Sequence, residues 1–214
     1  MARYLGPKEK IERRLGERLG LKGERANSPK AAIVKRPYPP GQHGPSTRPR
    51  RGSEYGTQLK SKQKVRNMYR LMEKPFKAYV KRELERRGVS PFEGVVRALE
   101  TRLDNTVFRM GLAQSRDQAR QLVTHGHILL NGRKARTPSI AIRVGDVVAI
   151  REGSKASPFF STLMPRWFAT ATPPGWLEVD KEKAVATVRS LPASQEEAGI
   201  QHGDLQAIIE FYSR

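Results

Sequence analysis

The chain has 214 residues, and its 41 lysines and arginines against 21 aspartates and glutamates give a formal net charge of +20. The sequence contains no cysteine, which excludes disulfides, cysteine-ligated zinc and thiol catalysis. No apolar run approaches the roughly 20 residues that span a bilayer. We therefore expect a cytoplasmic, strongly basic protein with one or two domains and a substantial core.

Most of the positive charge lies in the first 151 residues, which carry a net +22, whereas residues 152–214 carry −2. Like charges at this density repel each other in a compact chain, so we expect a polyanionic partner. Nucleic acid is the strongest candidate, because the neutralisation of phosphates releases condensed counterions. A merely soluble basic surface and attraction to anionic lipid are the alternatives, although the sequence lacks lipidation signals and apolar amphipathic anchors.

Residues 1–45 are predicted to form an extended basic arm with one short helix, whose apolar spacing is interrupted by glycines. Prolines between positions 37 and 49 exclude a helix or a central strand, so this stretch is expected to run over a surface. The loop that follows carries three arginines that we expect to be exposed: Arg48, Arg50 and Arg51. Because the arm has few core residues, we expect it to become ordered only on binding. Its deletion should then affect assembly more than the thermal stability of the free protein.

Residues 57–88 have a helical apolar period, and Pro75 suits the first position of a second helix within this stretch. Ser90 and Glu93 form a capping box that predicts the start of a third helix. The apolar face of that helix continues beyond residue 100, and a break is predicted near Asp104.

The region after residue 111 is predicted to be a compact α+β unit. Ser115 and Gln118 form a second capping box, and the dipeptide Asn131-Gly132 predicts a hairpin, since both residues tolerate the positive φ angles of a tight turn. A buried strand is predicted within 144–151, and two more strands near 176–180 and 184–191. A C-terminal helix capped by Asp204 has an apolar stripe that needs a partner, which the helices of 57–88 could supply.

Nothing in the sequence forms a catalytic or metal-binding constellation. The only close histidine pair is His125 and His127, which lacks metalloprotease spacing. Closely spaced carboxylates such as Asp180 and Glu182 lie in polar turns. We therefore predict a protein that is not an enzyme and that has no metal and no cofactor.

Several motifs resemble those of a known family. Three segments are similar to the RNA-binding module named after ribosomal protein S4: Glu100–Gly111, Ser115–Ile128 and Val144–Asp146. Five flanking segments resemble the bacterial small-subunit ribosomal protein S4 family over essentially the whole chain: Pro39–Gly44, Ser53–Gly56, Lys62–Arg66, Trp176–Asp180 and Ile209–Arg214.

The resemblance implies an α+β fold in which a basic N-terminal arm (1–45) precedes a helical domain (46–92, completed by 192–214). An S4-type RNA-binding module of helices and a small antiparallel sheet (93–191) is inserted in that domain. It also implies primary binding to a multi-helix junction in the five-prime domain of small-subunit rRNA, where the protein would nucleate assembly. A position beside entering mRNA, contact with ribosomal protein S5 and an influence on translational accuracy would follow.

The chain departs from the family at one site. Many members carry four metal-binding cysteines in the N-terminal arm, and the matching positions here are Glu9, Glu12, Ala26 and Ala31. Two carboxylates and two alanines cannot form that site, so no zinc is expected. The arm must instead be held by RNA and by packing.

The resemblance also guides the choice of RNA-binding residues. Arg116 and Arg120 lie one helical turn apart and are expected to project together. We predict one phosphate-binding face that joins them to Arg102, Arg109, Arg133 and Lys134. The other predicted RNA-binding residues are Lys62, Lys64 and Arg66, with Arg48, Arg50 and Arg51 of the loop. The alternative for each is an ordinary solvated face, and replacement of Arg116 and Arg120 by alanine should weaken RNA binding while leaving the fold intact.

Two other functions remain open at this point. An RNA-modifying enzyme could use the same module to grip RNA, but it needs a catalytic domain for which 214 residues leave no room. A translational regulator that binds mRNA could coexist with a ribosomal role, and the sequence does not separate the two.

Overall fold

The computed structural model describes residues 4–46, 52–192 and 198–213. The chain divides into two compact units, one formed by Met1–Val95 with Gly199–Arg214 and the other by Val96–Ala198. The sequence-based boundaries were 92/93 and 191/192. Arg48, Arg50 and Arg51 lie outside the described residues, and their predicted exposure stays a prediction.

In the described residues the helices are α1 (Lys8–Leu15), α2 (Glu24–Asn27), α3 (Ala32–Lys35), α4 (Glu54–Met68), α5 (Glu73–Glu85), α6 (Pro91–Glu100), α7 (Leu103–Arg109), α8 (Arg116–Thr124), α9 (Glu152–Lys155), α10 (Pro165–Phe168) and α11 (His202–Ser213), with a π-helical turn at Phe159–Leu163. The strands are β1 (Ile128–Leu130), β2 (Arg133–Ala135), β3 (Val147–Ile150), β4 (Leu177–Asp180) and β5 (Val185–Val188). Among these helices none combines the length and the apolar character needed to cross a bilayer.

The described N-terminal residues, 4–46, are folded and not extended. Helix α1 packs against α3, and the buried carboxylate of Glu12 accepts hydrogen bonds from the backbone N–H groups of Leu19 (3.0 Å) and Leu21 (3.3 Å). The guanidinium of Arg13 donates to the carbonyl oxygens of Arg36 (3.0 Å) and Tyr38 (3.1 Å). The side chains of Glu12 and Arg13 thus form hydrogen bonds with backbone N–H and carbonyl groups of the loops, and these bonds help to hold a segment that has few apolar residues.

The helices of the first unit pack around an apolar centre. Helix α11 lies against α4 and α5, and Leu205 and Ile208 are fully buried. The predicted apolar stripe of the C-terminal helix therefore has the partner that was expected. The stretch 57–88 forms two helices, as predicted, and Arg70, with a φ of 55°, lies at the break between α4 and α5; the second helix begins at Glu73, two residues before Pro75.

The second unit contains a five-stranded antiparallel sheet in the order β2-β1-β3-β5-β4. Leu130 pairs with Arg133 across a two-residue turn in which Asn131 has a φ of 50° and Gly132 a φ of 75°, so the predicted hairpin is confirmed. Ser115 accepts a hydrogen bond from the backbone N–H of Gln118 (3.3 Å), which confirms the predicted N-cap of α8. One face of the sheet is buried with α7 and α8 in a core that includes Leu103, Val107, Leu112, Ile128, Val148 and Ala186.

Candidate nucleic-acid interface

A buried polar network joins α6, α7 and α8 at the positions where arginines were predicted to face solvent. The guanidinium of Arg109 donates to both carboxylate oxygens of Glu100, at 2.8 and 2.9 Å. The side-chain amide of Asn105 donates to Glu100 at 2.9 Å and accepts from Nε of Arg116 at 2.8 Å. Glu100 and Asn105 are each 1% exposed, so these are interior contacts.

A second ion pair lies within the same network. Arg102 donates to both oxygens of Asp104, at 3.0 and 2.8 Å, and Nη1 of Arg120 lies 3.9 Å from Oδ2 of Asp104. Arg102, Arg120 and Arg116 are all buried, at 3, 7 and 9% exposure. Each of these buried charges lies near an opposite charge or a polar partner, and removal of that partner would leave an uncompensated buried charge.

These arginines were predicted to belong to one phosphate-binding face, and in the free protein they contact carboxylates and an amide within the same unit. Arg116 and Arg120 do share one side of α8, as their spacing requires, but that side faces the carboxylates and amide of the preceding helices. The net charge of a segment does not show which acidic residues pair with these arginines. RNA contact by Arg102, Arg109, Arg116 and Arg120 stays a prediction that nothing in the geometry tests.

The basic residues of α4 are also paired within the protein. Nζ of Lys62 lies 2.8 Å from Glu73 and 4.4 Å from the ring centroid of Phe211, whereas Nη1 of Arg66 lies 3.3 Å from Glu73. Tyr212 donates its hydroxyl to Glu73 at 2.7 Å. Burial acts to raise the pKa of Glu73, but the hydrogen bonds from Lys62 and Tyr212 outweigh it and lower this pKa below its ordinary value.

Lys64 joins two distant segments of the first unit. Its Nζ lies 2.6 Å from Glu17 and 2.7 Å from Asp204, which is in the first turn of α11. Burial acts to lower the pKa of Lys64, but the hydrogen bonds to these two carboxylates raise it overall. Contact of Lys62, Lys64 or Arg66 with RNA stays a prediction, and in the free protein their visible role is to hold helices together.

The hairpin differs from these paired sites. Arg133 and Lys134 are exposed, and no ion pair joins either of them to a carboxylate in the described part of the chain. Nearby exposed or half-exposed groups extend this positive region beyond the two predicted residues. We use the name cationic cluster for three of the cations, Lys134, Arg136 and Arg151, together with the adjacent imidazoles of His125 and His127. Arg133 is not part of this set.

The pairing of the strands explains how the cationic cluster forms. Ile128 pairs with Ala135 on β2 and with Ile150 on β3, and all three are buried. If this register is continued by one residue, His127 lies opposite Arg136 and Arg151, on the other face of the sheet. The backbone N–H of Arg151 donates to the carbonyl of His127 at 2.8 Å, as the register requires.

Lys134 was among the RNA-binding residues predicted from the sequence, whereas Arg136 and Arg151 were not. The alternation of Lys134, Ala135 and Arg136 could have identified Arg136, since residues two apart on a strand share a face. Arg151 could be placed only after the pairing of β1 with β3 was known. In the described residues no group of three or more histidine, aspartate or glutamate side chains is placed to hold a metal ion.

Comparison with known proteins is consistent with this architecture. Residues 3–100 match the family described as the Ribosomal protein S4/S9 N-terminal domain, and residues 101–148 match the S4 domain. Over the full length of both chains, this protein is 48% identical to the "Small ribosomal subunit protein uS4" of Kosmotoga olearia. Over the same full coverage it is 45% identical to the protein of that name from Pelotomaculum thermopropionicum, and 47% identical to the "Small ribosomal subunit protein uS4A" of Symbiobacterium thermophilum.

The chain therefore belongs to the uS4 family of small ribosomal subunit proteins. The resemblance to the S4 family and the α+β fold class are confirmed. The family is structural and non-enzymatic, which agrees with the prediction that the chain is not an enzyme.

Proposed function

We propose that this chain is a structural, rRNA-binding component of the small ribosomal subunit in the cytoplasm. The observation that carries the proposal is the cationic cluster, because two arginines and a lysine lie together on one face of the sheet, and none of them forms an ion pair with a carboxylate among the described residues. The net charge of +20 and the full-length similarity to uS4 proteins support the same conclusion. A polyanion is the natural partner for such a surface.

Within that role, we assign the protein to early assembly. It would bind first at a multi-helix junction in the five-prime domain of small-subunit rRNA and nucleate the folding of that domain. In the mature subunit it would lie beside entering mRNA, contact ribosomal protein S5 and support translational accuracy. Family membership supports these details, and recognition would depend on RNA shape and backbone, since A-form grooves hide base edges.

Chemical footprinting tests this function directly. The full chain is added to a transcript of the five-prime domain, and protection is compared with that on an unrelated structured RNA at matched salt. The proposal predicts protection concentrated at one junction, before any other ribosomal protein is added. Diffuse protection of both RNAs would contradict it. Tighter binding to an mRNA leader than to the domain would favour the regulatory alternative.

A further inference from the structure

The cationic cluster brings several positive groups to one point. A Cβ atom on residue 126 would stand 3.2 Å from Nζ of Lys134 and 3.4 Å from Nε of Arg136, and it would overlap the aliphatic chain of Lys134. The glycine that ends α8 therefore lets the lysine lie across the end of the helix beside an arginine. Gly126 also has a φ of 74°, so both its backbone and its missing side chain are used here.

Among the described residues, no carboxylate forms an ion pair with Lys134, Arg136 or Arg151. Glu152, which follows Arg151 in sequence, pairs with Lys155 at 2.8 Å, and Asp146 accepts hydrogen bonds from the Asn131 side chain and the backbone of Arg143. The repulsion has a visible effect, since Arg136, with some burial and Arg151, lowers the pKa of Lys134. A free protein that keeps like charges together in this way is stabilised when an anion binds between them.

The His127 imidazole lies inside this cluster. Its Nδ1 is 3.0 Å from Oγ of Ser154, which also accepts from Nε of Arg151 at 3.2 Å, and its ring packs against the edge of Phe160. The charged or titratable groups that face it are His125, 6.1 Å away between ring centroids, and the cations of Arg151 and Lys134. Burial and these neighbours lower the pKa of His127 below its ordinary value.

The serine hydroxyl can accommodate either protonation state of His127. With its own hydrogen directed to Nδ1 of the neutral ring, Oγ still accepts from Arg151. When Nδ1 takes a proton from solvent, Oγ accepts from both groups instead. The charge of the imidazole can therefore change without a rearrangement of the fold.

We propose that the cationic cluster is a phosphate-binding site for RNA, in which His127 takes up a proton from solvent as the phosphodiester binds. This inference rests on the proposed rRNA-binding function and adds to it the residues that hold the backbone and a dependence on pH. A bound phosphate offsets the positive charge of Arg151 and Lys134 around His127 and so favours protonation of this ring, and affinity therefore rises as the pH falls. From the sequence, the two histidines were expected only to lie in a loop or at a helix end near phosphate or base edges, and Arg136 and Arg151 were not among the predicted RNA-binding residues.

The first test measures the salt dependence of binding. The dissociation constant of the full chain for a five-prime-domain rRNA fragment is determined at several salt concentrations, for the wild type and for the double variant Lys134→Gln, Arg136→Gln. The double variant should lose about 0.7–0.9 in the logarithmic salt slope for each phosphate contact removed. A control with the same loss of charge, Lys183→Gln with Arg166→Gln, removes exposed cations elsewhere in the same unit and should keep the wild-type slope.

The second test measures protons. Titration calorimetry of the wild type in two buffers of different ionisation enthalpy should show proton uptake on binding near pH 6.5. When the pH falls from above the bound-state pKa of His127 to below its free-state pKa, the affinity should rise in total by about tenfold for each unit by which the phosphate raises this pKa. His127→Asn should flatten this pH dependence, and thermal unfolding shows whether the variant remains folded.

The outcomes separate the inference from the function on which it rests. If the Lys134→Gln, Arg136→Gln variant keeps the wild-type salt slope, the cationic cluster is not a phosphate-binding site. The absence of proton uptake by the wild type overturns the role of the His127 imidazole, whether or not His127→Asn folds. If the wild type binds the ribosomal fragment no more tightly than an unrelated RNA, the proposed function itself fails.

Discussion

Nε of Arg116 donates to the side-chain oxygen of Asn105 at 2.8 Å, and this bond joins the start of α8 to the middle of α7. Asn105 in turn donates to Glu100, which receives both hydrogen bonds of Arg109. The arginines on these helices thus have a structural role in the free protein. Arg116 and Arg120 were expected to be replaceable by alanine with the fold intact. The contacts instead predict that replacement of Arg116 destabilises the fold.

Arg116→Ala should therefore destabilise the protein. It removes the donor to the buried side-chain oxygen of Asn105, and leaving a buried acceptor unsatisfied costs about 1–3 kcal/mol. Denaturant unfolding checks the effect, with the exposed hairpin residue Arg133→Ala as the control, which should change stability by less than about 0.5 kcal/mol. If the Arg116→Ala variant is as stable as the wild type and loses only RNA affinity, the structural role of Arg116 is contradicted and its role in RNA binding is supported.

Tyr212→Phe tests the junction between α11 and the basic helices of the first unit. The hydroxyl donates to the charged Glu73 at 2.7 Å, and hydrogen bonds to charged groups contribute about 1.5–3 kcal/mol. The variant should unfold at a lower temperature than the wild type. Ser213→Ala, at the exposed neighbouring position, serves as the control and should show a much smaller change. Equal unfolding temperatures for the Tyr212 variant and the wild type would show that water replaces the bond at no cost.

The pH dependence of stability should contain a contribution from Glu73. Because its pKa is lowered in the folded state, the unfolded chain binds more protons there, and the stabilisation is present above about pH 4.5 and lost as the pH falls through the folded value. The difference in unfolding free energy between the wild type and Glu73→Gln should therefore shrink from pH 6 to pH 3. A difference that stays constant over that range would contradict the assignment.

Glu12→Ala should loosen the N-terminal segment. The buried carboxylate accepts from two backbone N–H groups, and leaving buried donors unsatisfied costs about 1–3 kcal/mol. Hydrogen exchange at Leu19 and Leu21 should accelerate in the variant, while exchange in the sheet of the second unit should not change. Rapid exchange at both positions already in the wild type would support the original expectation of an arm that is ordered only on binding.

The sequence predicted the parts of the fold that local chemistry determines. The Asn131-Gly132 turn, the Ser115 cap and the apolar stripe of the C-terminal helix each follow from a few adjacent residues. The packing of residues 4–46 was missed because it depends on Glu12 and Arg13, whose polar side chains satisfy the backbone of distant loops. An apolar pattern carries no information about such contacts.

The candidate site was predicted less well than the fold, for a related reason. Net charge shows that a surface is basic, but it does not show which cations have a carboxylate opposite them. Arg116 and Lys134 look equivalent in the sequence, yet the first is 9% exposed in an acidic pocket and the second is exposed among other cations. Only the pairing of strands and helices separates them.

Competition binding tests the central claim, that the basic surface of this protein fits folded ribosomal RNA, most directly. The full chain is held on a labelled five-prime-domain rRNA fragment and challenged with unlabelled fragment or with an unrelated hairpin of equal length, at a salt concentration that suppresses nonspecific binding. The account predicts that the ribosomal fragment displaces the label at a concentration at least about a thousandfold lower than the hairpin does. Equal displacement by the two RNAs would contradict it.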